Sequence, residues 1–175
     1  MPQCKHVFVD VGANIGMHAR FLFEPEKYSN SPFSRLFERI LGNERNETCA
    51  IEIEPNPRHT RRHVRLRQYY AQKGLTYVHL QNAVNGKMYN NLSFYLNPTV
   101  KQGDTHSDWS FGIKQREKQN STFNVNSIPL YDVLNCMYAR KTGKMIVKMD
   151  IEGMEYNTVS SLLLHGVLCK LDFLS

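Results

Sequence analysis

The sequence predicts an α/β fold with a mostly parallel sheet and helices on both faces. Short apolar runs alternate with helical patterns through the first 80 residues, and a glycine-containing turn joins the first run to its helix. An order of strand, helix, strand, helix, strand requires crossover connections, which place helices against the sheet. With 175 residues, 41% hydrophobic and 22% charged, the chain has the composition of a single globular domain.

The first half supplies three predicted strands. Residues 7–11 (VFVDV) are β-branched and apolar, and they precede apolar side chains at helical spacing over residues 15–22. A second strand is predicted over residues 50–54 and a third over residues 77–80. Residues 24–48 contain a polar, proline-bearing stretch, a short helical patch at 33–41 and a second polar stretch at 42–48. They are interpreted as an insertion that interrupts the core rather than extends it.

The second half is predicted to contain a hairpin-like addition at about residues 90–127. Its strands, residues 92–96 and 122–126, flank a long segment, residues 97–121, of the kind that is usually functional or disordered. Four further elements are a helix at 130–140, a fourth core strand at 144–151, a helix at 154–165 and a fifth strand at 170–174. In the last helix, Val159, Leu162 and Leu163 are expected to face inward.

Basic residues concentrate in the helix between the second and third strands. The net charge is +6, and residues 58–73 contain six basic residues and no acid: Arg58, Arg61, Arg62, Arg65, Arg67 and Lys73. The favoured interpretation is a solvated outer face, and a surface for a phosphate backbone or an acidic partner is the alternative. The helix is predicted to end at Gly74, with Leu66, Tyr69, Tyr70 and Lys73 along one side.

The four cysteines are scattered without C-x-x-C spacing, so neither a metal site nor a redox pair is predicted, and buried thiols are expected. Glycosylation sequons begin at Asn46, Asn91 and Asn120, against about 1.6 expected by chance. No apolar run is long enough for a membrane span, which predicts a soluble chain. The compartment is left open, with the cytoplasm slightly favoured over a secretory lumen.

The turn after the first strand predicts a nucleoside-binding site. In an open parallel sheet the ligand lies beyond the carboxyl ends of the strands, where Gly12 and Gly16 permit a sharp turn and close approach. The spacing D-x-G-A-N-x-G differs from the G-x-G-x-x-G of dinucleotide folds. Asp10 beside this turn would repel a pyrophosphate and favours a cationic ligand.

Two other strand ends carry polar residues. Glu54 ends the second strand, where a carboxylate can accept hydrogen bonds from both hydroxyls of a ribose. Lys148, Asp150 and Glu152 alternate at the end of the fourth strand. Since charges of mixed sign are costly to bury unless paired, these three residues form either a site, which is favoured, or a local ion-pair cluster.

Three segments in this order resemble the FkbM-type methyltransferases: residues 9–16 (VDVGANIG), 53–57 (IEPNP) and 147–155 (VKMDIEGME). The resemblance covers nearly the whole chain apart from residues 24–48. It implies a Rossmann-like class I methyltransferase fold and transfer of a methyl group from S-adenosyl-L-methionine. The implied acceptor is a hydroxyl oxygen of a small molecule, sugar or lipid.

The same resemblance implies the cofactor-binding residues. The methionine and ribose end would be lined by Asp10, Gly12, Asn14 and Gly16. Glu54 would bind the ribose hydroxyls, while Asn82 and Ala83 would lie against the adenine.

In-line methyl transfer depends mostly on alignment of the acceptor oxygen, and a base is helpful. Asp150 and Glu152 are the candidate bases, and Lys148 could stabilise an oxyanion or pair with one of them. His18 and His79 could also serve, although a packing role is favoured for both.

Three alternative functions are considered for this sequence. A nicotinamide-dependent oxidoreductase needs another glycine spacing and an acid about 20 residues on, whereas Glu54 follows Gly16 by 38 residues. An RNA methyltransferase would use the basic helix, but residues 150–153 (DIEG) replace the Asn/Asp-Pro-Pro-aromatic segment of base-modifying enzymes. The third alternative is a non-catalytic remnant that binds a cofactor or a partner.

The number of predicted strands supports the third alternative, the non-catalytic remnant. The family fold implies seven strands, so residues 1–175 are interpreted as one C-terminally incomplete domain, a fragment or truncated product. Leu171, Phe173 and Leu174 would then form an exposed apolar edge. Oligomeric state is left open.

Overall fold

Eight strands and five α-helices make up the computed structural model, which describes residues 4–96, 121–151 and 153–175. In chain order they are β1 (His6–Val11), α1 (Met17–Phe23), α2 (Pro32–Leu41), a 3₁₀ helix (Gly42–Glu47), β2 (Thr48–Ile53), α3 (Thr60–Gln72), β3 (Thr76–Leu80), β4 (Ala83–Asn85), β5 (Tyr89–Leu96), β6 (Ser121–Pro129), α4 (Leu130–Tyr138), β7 (Met145–Met149), α5 (Glu155–Leu164), a 3₁₀ helix (Leu168–Lys170) and β8 (Phe173–Leu174). None of the helices in these ranges is long and apolar enough to cross a lipid bilayer.

The central sheet has five parallel strands in the order β3-β2-β1-β7-β8. Every residue of β1 and of β2 is buried, as expected for strands covered on both faces. The predicted α/β class is therefore confirmed, and the fourth core strand lies beside the first. Because the chain leaves β1 towards β2 on one side and returns as β7 on the other, the order reverses at β1, where open sheets form a ligand crevice.

Helices cover both faces of this sheet. On one face, Phe8, Ala50 and Ile146 pack against α1, α2 and α3. The other face packs its valines and isoleucines against Leu134 of α4 and Leu162 of α5. Residues one apart in a strand point to opposite faces, so each strand serves both cores.

A second sheet contains β5 and β6 in antiparallel pairing, with β4 parallel to β6 at the other edge. Leu92 pairs with Val125 and Phe94 with Phe123, which confirms the hairpin-like pairing predicted from the sequence. The predicted long segment between these strands lies outside the described residues. Phe94 and Ala83 form a small core here that extends to the carboxyl end of the main sheet.

Residues 24–48 extend the core, contrary to expectation. Phe37 of α2 is fully buried and meets Phe8 edge-on, with ring centroids 4.9 Å apart. Glu24 is also buried, and its carboxylate accepts hydrogen bonds from Tyr70 (2.7 Å) and Lys27 (2.8 Å). The cause is the amphipathic character of α2, whose apolar residues recur at intervals of four and cover the sheet.

The prediction of inward-facing residues in the last helix was wrong in part. In α5, Leu162 is fully buried but Leu163 is 66% exposed, because the buried side of that helix also carries Thr158 and Ser161. In α3, Tyr70 is buried whereas Tyr69 and Lys73 are exposed.

The prediction of four buried thiols was wrong. Cys4 and Cys49 form a disulfide with Cα atoms 5.7 Å apart, and Cys136 and Cys169 are free and exposed. The parallel register of β1 and β2 brings the first two together across 45 positions of the sequence. Cysteine spacing alone does not show such a pair, because the strand register decides it.

Candidate functional site

A cavity of about 340 Å³ opens at the carboxyl ends of β1, β2 and β7, where the strand order reverses. Its volume lies in the range of small-molecule sites. The residues that line it include the predicted Gly12, Asn14, Glu54, Asn82, Ala83, Lys148 and Asp150. Sequence motifs far apart in the chain therefore meet in one concave site.

The turn after β1 has left-handed backbone at Gly12, Asn14 and Gly16 (φ of 79°, 49° and 74°). Its glycines are required by protein contacts. A Cβ at Gly12 would overlap the carbonyl oxygen of Asp150, and one at Gly16 would press on the Leu66 side chain (2.8 Å). Gly12 lines the cavity, whereas Gly16 is outside the lining and packs against other parts of the protein.

Glu54 is buried and connects the two loops at the mouth of the cavity. One carboxylate oxygen accepts the N–H of Asn14 at 2.7 Å, and the other accepts the N–H of Asn56 at 2.8 Å. A carboxylate has about four lone-pair positions, so further donors can be accommodated. Close by, the buried side-chain oxygen of Asn14 has no hydrogen-bond partner within the described part of the chain.

Asn82 and Ala83 lie on the wall formed by the start of β4. The Asn82 amide donates to the carbonyl oxygen of Asn126 (3.2 Å), and Ala83 is buried beside Phe94. This wall is mostly apolar and suits a flat ring.

Asp10 lies beneath the cavity rather than in its lining. It is fully buried between Lys148, whose Nζ is 3.2 Å from Oδ1, and His18, whose Nδ1 is 2.9 Å from Oδ2. Lys148 also donates to the carbonyl oxygen of Gly12 (3.3 Å). The favoured packing interpretation of His18 is incomplete, because this histidine lines the cavity as well as packing on Phe33.

Asp150 also faces the cavity, but its side chain is 77% exposed and lies 3.7 Å from Lys148. Glu152 falls outside the described residues. Lys148 is thus shared between a buried acid and an exposed acid.

Sequence reasoning missed a buried polar row across the sheet. Strand register places Lys148, Asp10, Glu52 and His79 side by side on four neighbouring strands. Glu52 is fully buried without a hydrogen-bond partner in the described ranges, and its burial, reinforced by Asp10, raises its pKa well above the usual range. The available signal was an acid at position 52 between two buried isoleucines.

His63 of α3 packs against His79, the residue at the end of this row. Its ring stacks on His79 with centroids 4.0 Å apart and is hydrogen-bonded to the Tyr77 hydroxyl (2.5 Å) and the Asn14 carbonyl (2.8 Å). Burial, with a smaller contribution from His79, lowers the pKa of His63 to about 4. The neutral ring therefore supports the turn that carries Asn14.

We expect His63 to make the fold less stable in acid. The unfolded histidine, with a pKa of about 6.5, gains its proton before the folded one does, so this contribution is complete above pH 6.5 and is lost as the pH falls towards 4. At pH 5 the loss is about 2 kcal/mol. Urea unfolding at pH 7 and pH 5 should show a smaller pH-dependent loss for His63→Gln than for the parent chain. Equal losses would contradict the prediction.

Comparison with known families agrees with the three motifs. The family model described as the Methyltransferase FkbM domain matches residues 10–171. Searches of curated proteins and of solved structures gave no match. The match begins at Asp10, includes the cavity-lining residues, and spans nearly the whole sequence. This chain belongs to the FkbM methyltransferase family.

Proposed function

We propose that this protein transfers a methyl group from S-adenosyl-L-methionine to a hydroxyl oxygen of a small-molecule, sugar or lipid acceptor. The observation that supports it best is the cavity, which gathers the turn after β1, Glu54, the start of β4 and Asp150 around one volume. Family membership supplies the reaction class. The acceptor class rests on the family resemblance.

The residues present fit such a cofactor. Glu54 is placed to accept hydrogen bonds from ribose hydroxyls, and Asn82 with Ala83 offers an apolar wall for the adenine. The unpartnered side-chain oxygen of Asn14 is a ready acceptor for an ammonium or hydroxyl group. Asp10, lying deeper, contributes through Lys148 and His18 rather than by touching the cofactor.

When bound, the cofactor would supply an electrophilic sulfonium methyl group. The protein's task is then to align an acceptor oxygen and receive its proton. His18 is suited to this because Asp10 holds Nδ1, which leaves Nε2 as the nitrogen that can accept the acceptor's proton. The Lys148 ammonium group lies 3.2 Å from the Asp10 carboxylate and so helps to hold this arrangement. Asp150 remains the second candidate base.

Calorimetric titration with S-adenosylhomocysteine tests the cofactor site. We expect the parent chain to bind and Glu54→Gln to bind roughly 10- to 100-fold more weakly, because hydrogen bonds to a charged group contribute about 1.5–3 kcal/mol. Glutamine keeps an acceptor oxygen for only one of the two loop N–H groups, so urea unfolding of the variant should accompany the binding measurement. The exposed Glu26 supplies the control, since Glu26→Gln should bind like the parent. Failure of the parent chain to bind would support the non-catalytic alternative.

Transfer of a tritiated methyl group should then be screened over hydroxylated small molecules, sugars and lipids, with RNA as the comparison. The exposed Arg61, Arg65 and Arg67 of α3 are the reason for including RNA. Labelling of RNA alone would contradict the proposed acceptor class.

A further inference from the structure

We propose that this protein matures in an oxidising secretory lumen, where it forms the Cys4–Cys49 disulfide and receives N-linked glycans at Asn46 and Asn91. The inference is independent of methyl transfer. It rests on a buried disulfide and on two sequons whose asparagines are exposed at the surface.

The disulfide has a structural position. Cys4 precedes β1 and Cys49 lies at the start of β2, so the bond joins the amino ends of neighbouring strands, opposite to the cavity. Both residues are only 4% exposed, which is unsuited to a redox-active pair that must meet a partner. Structural disulfides form and persist in oxidising compartments and are rare in the cytosol.

Asn46 begins the first sequon and is exposed in the 3₁₀ helix Gly42–Glu47. It lies two residues before β2, at the amino end of the sheet, so a glycan here projects away from the cavity. Asn91 begins the second sequon and is exposed on β5, an edge strand of the smaller sheet. Its partner Ser93 is exposed too, with its hydroxyl donating to Asn124 (2.8 Å).

The chemistry needs two luminal reactants. A thiol oxidant takes two electrons and two protons from Cys4 and Cys49 as the S–S bond forms. An oligosaccharyltransferase joins the asparagine side-chain nitrogen to a sugar from a lipid-diphosphate-linked oligosaccharide. The glycosyl–phosphate bond breaks, the lipid diphosphate leaves, and the amide loses one proton.

Folding should affect the two sequons differently. Thr48, the hydroxyl residue of the first, is 1% exposed within β2 and lies beside Cys49, so the folded and oxidised chain hides it. Glycosylation of Asn46 must therefore precede the docking of β2. The Ser93 hydroxyl stays at the surface, so Asn91 remains available for longer.

The test uses the protein isolated from its source cells after rapid alkylation of free thiols. Peptide mapping should show Cys4 and Cys49 joined and Cys136 and Cys169 alkylated. Treatment with a glycan-releasing amidase in ¹⁸O-water should convert both Asn46 and Asn91 to labelled aspartate. Alkylated Cys4 and Cys49, or a complete lack of conversion at either asparagine, would overturn the proposal.

Variants expressed in the same cells resolve the order of events. Cys4→Ser should raise glycan occupancy at Asn46 about twofold or more and leave Asn91 unchanged, because β2 then docks later. Thr48→Val should abolish the Asn46 glycan with little loss of stability, since the Thr48 hydroxyl has no hydrogen-bond partner among the described residues. Asn43→Gln, an exposed position of the same 3₁₀ helix outside any sequon, is the matched control. Unchanged Asn46 occupancy in Cys4→Ser would contradict the proposed order.

Discussion

Lys148→Met is expected to destabilise the protein by about 4 kcal/mol, because it leaves the Asp10 carboxylate buried without a charge partner. Asp10 has no exposed surface and Lys148 is the ammonium group beside it, at 3.2 Å. Methionine fills a similar volume, so most of the loss should come from the uncompensated charge. Urea unfolding of both proteins at pH 7 measures the difference.

Two further variants separate charge from packing. Adding Asp10→Asn to Lys148→Met should restore about 2 kcal/mol or more, since replacement of both members of a buried pair is often neutral. Lys144→Met, which breaks a half-exposed pair with Asp172 just before the same strand, should cost about 1 kcal/mol or less. A double variant no more stable than Lys148→Met would show that the buried charge is not the cause.

His18→Gln is expected to lower kcat about 10²- to 10⁴-fold while S-adenosylhomocysteine binding is retained, once an acceptor is identified by the screen above. The physical reason is loss of the group that receives the acceptor's proton, whereas the cofactor contacts assigned to Glu54 and Asn82 are untouched. KM should change far less than kcat. His165→Gln, which alters an exposed histidine stacked on Tyr131, is the control and should turn over like the parent.

In the proposed mechanism Asp10 acts through His18 as a positioning residue, so its effect can be followed without substrate. In the parent chain, ¹⁵N NMR should show the His18 proton on Nδ1, donated to Asp10. Asp10→Asn should redistribute that proton and lower kcat as well. A His18 proton found on Nε2 in the parent chain, or full kcat in His18→Gln, would exclude this histidine as the proton acceptor.

Most of the sheet could be predicted because a strand that is buried on both faces is a nearly continuous apolar run in the sequence. The apolar runs that became β1, β2 and β7 are short, β-branched and bounded by turn residues. Their polar termini then had to meet, since the carboxyl ends of parallel strands share one edge. Of the seven cofactor residues that the family resemblance implies, five line the cavity at that edge and Asp10 lies just beneath it.

The wrong predictions concern which helical residues are buried. Leu163 is apolar and helical, yet helical spacing alone does not say which side of a helix meets the sheet. Phe37 lies in a segment whose polar flanks suggested an insertion, and only packing on Phe8 shows that it belongs to the core. Local pattern identifies an element, whereas its burial depends on what lies opposite.

The sequence by itself determined the fold class, the succession of strands along the chain and the motif-bearing end of the sheet, because these follow from local periodicity and chain connectivity. Only the tertiary structure decided which residues that are distant in sequence contact each other. Asp10 meets Lys148 across 138 positions, and Cys4 meets Cys49 across 45. Parallel register and helix docking create both contacts, and neither leaves a trace in sequence spacing. The same docking places His18 in the cavity wall with its Nδ1 2.9 Å from Asp10, which is the contact behind its proposed role as proton acceptor.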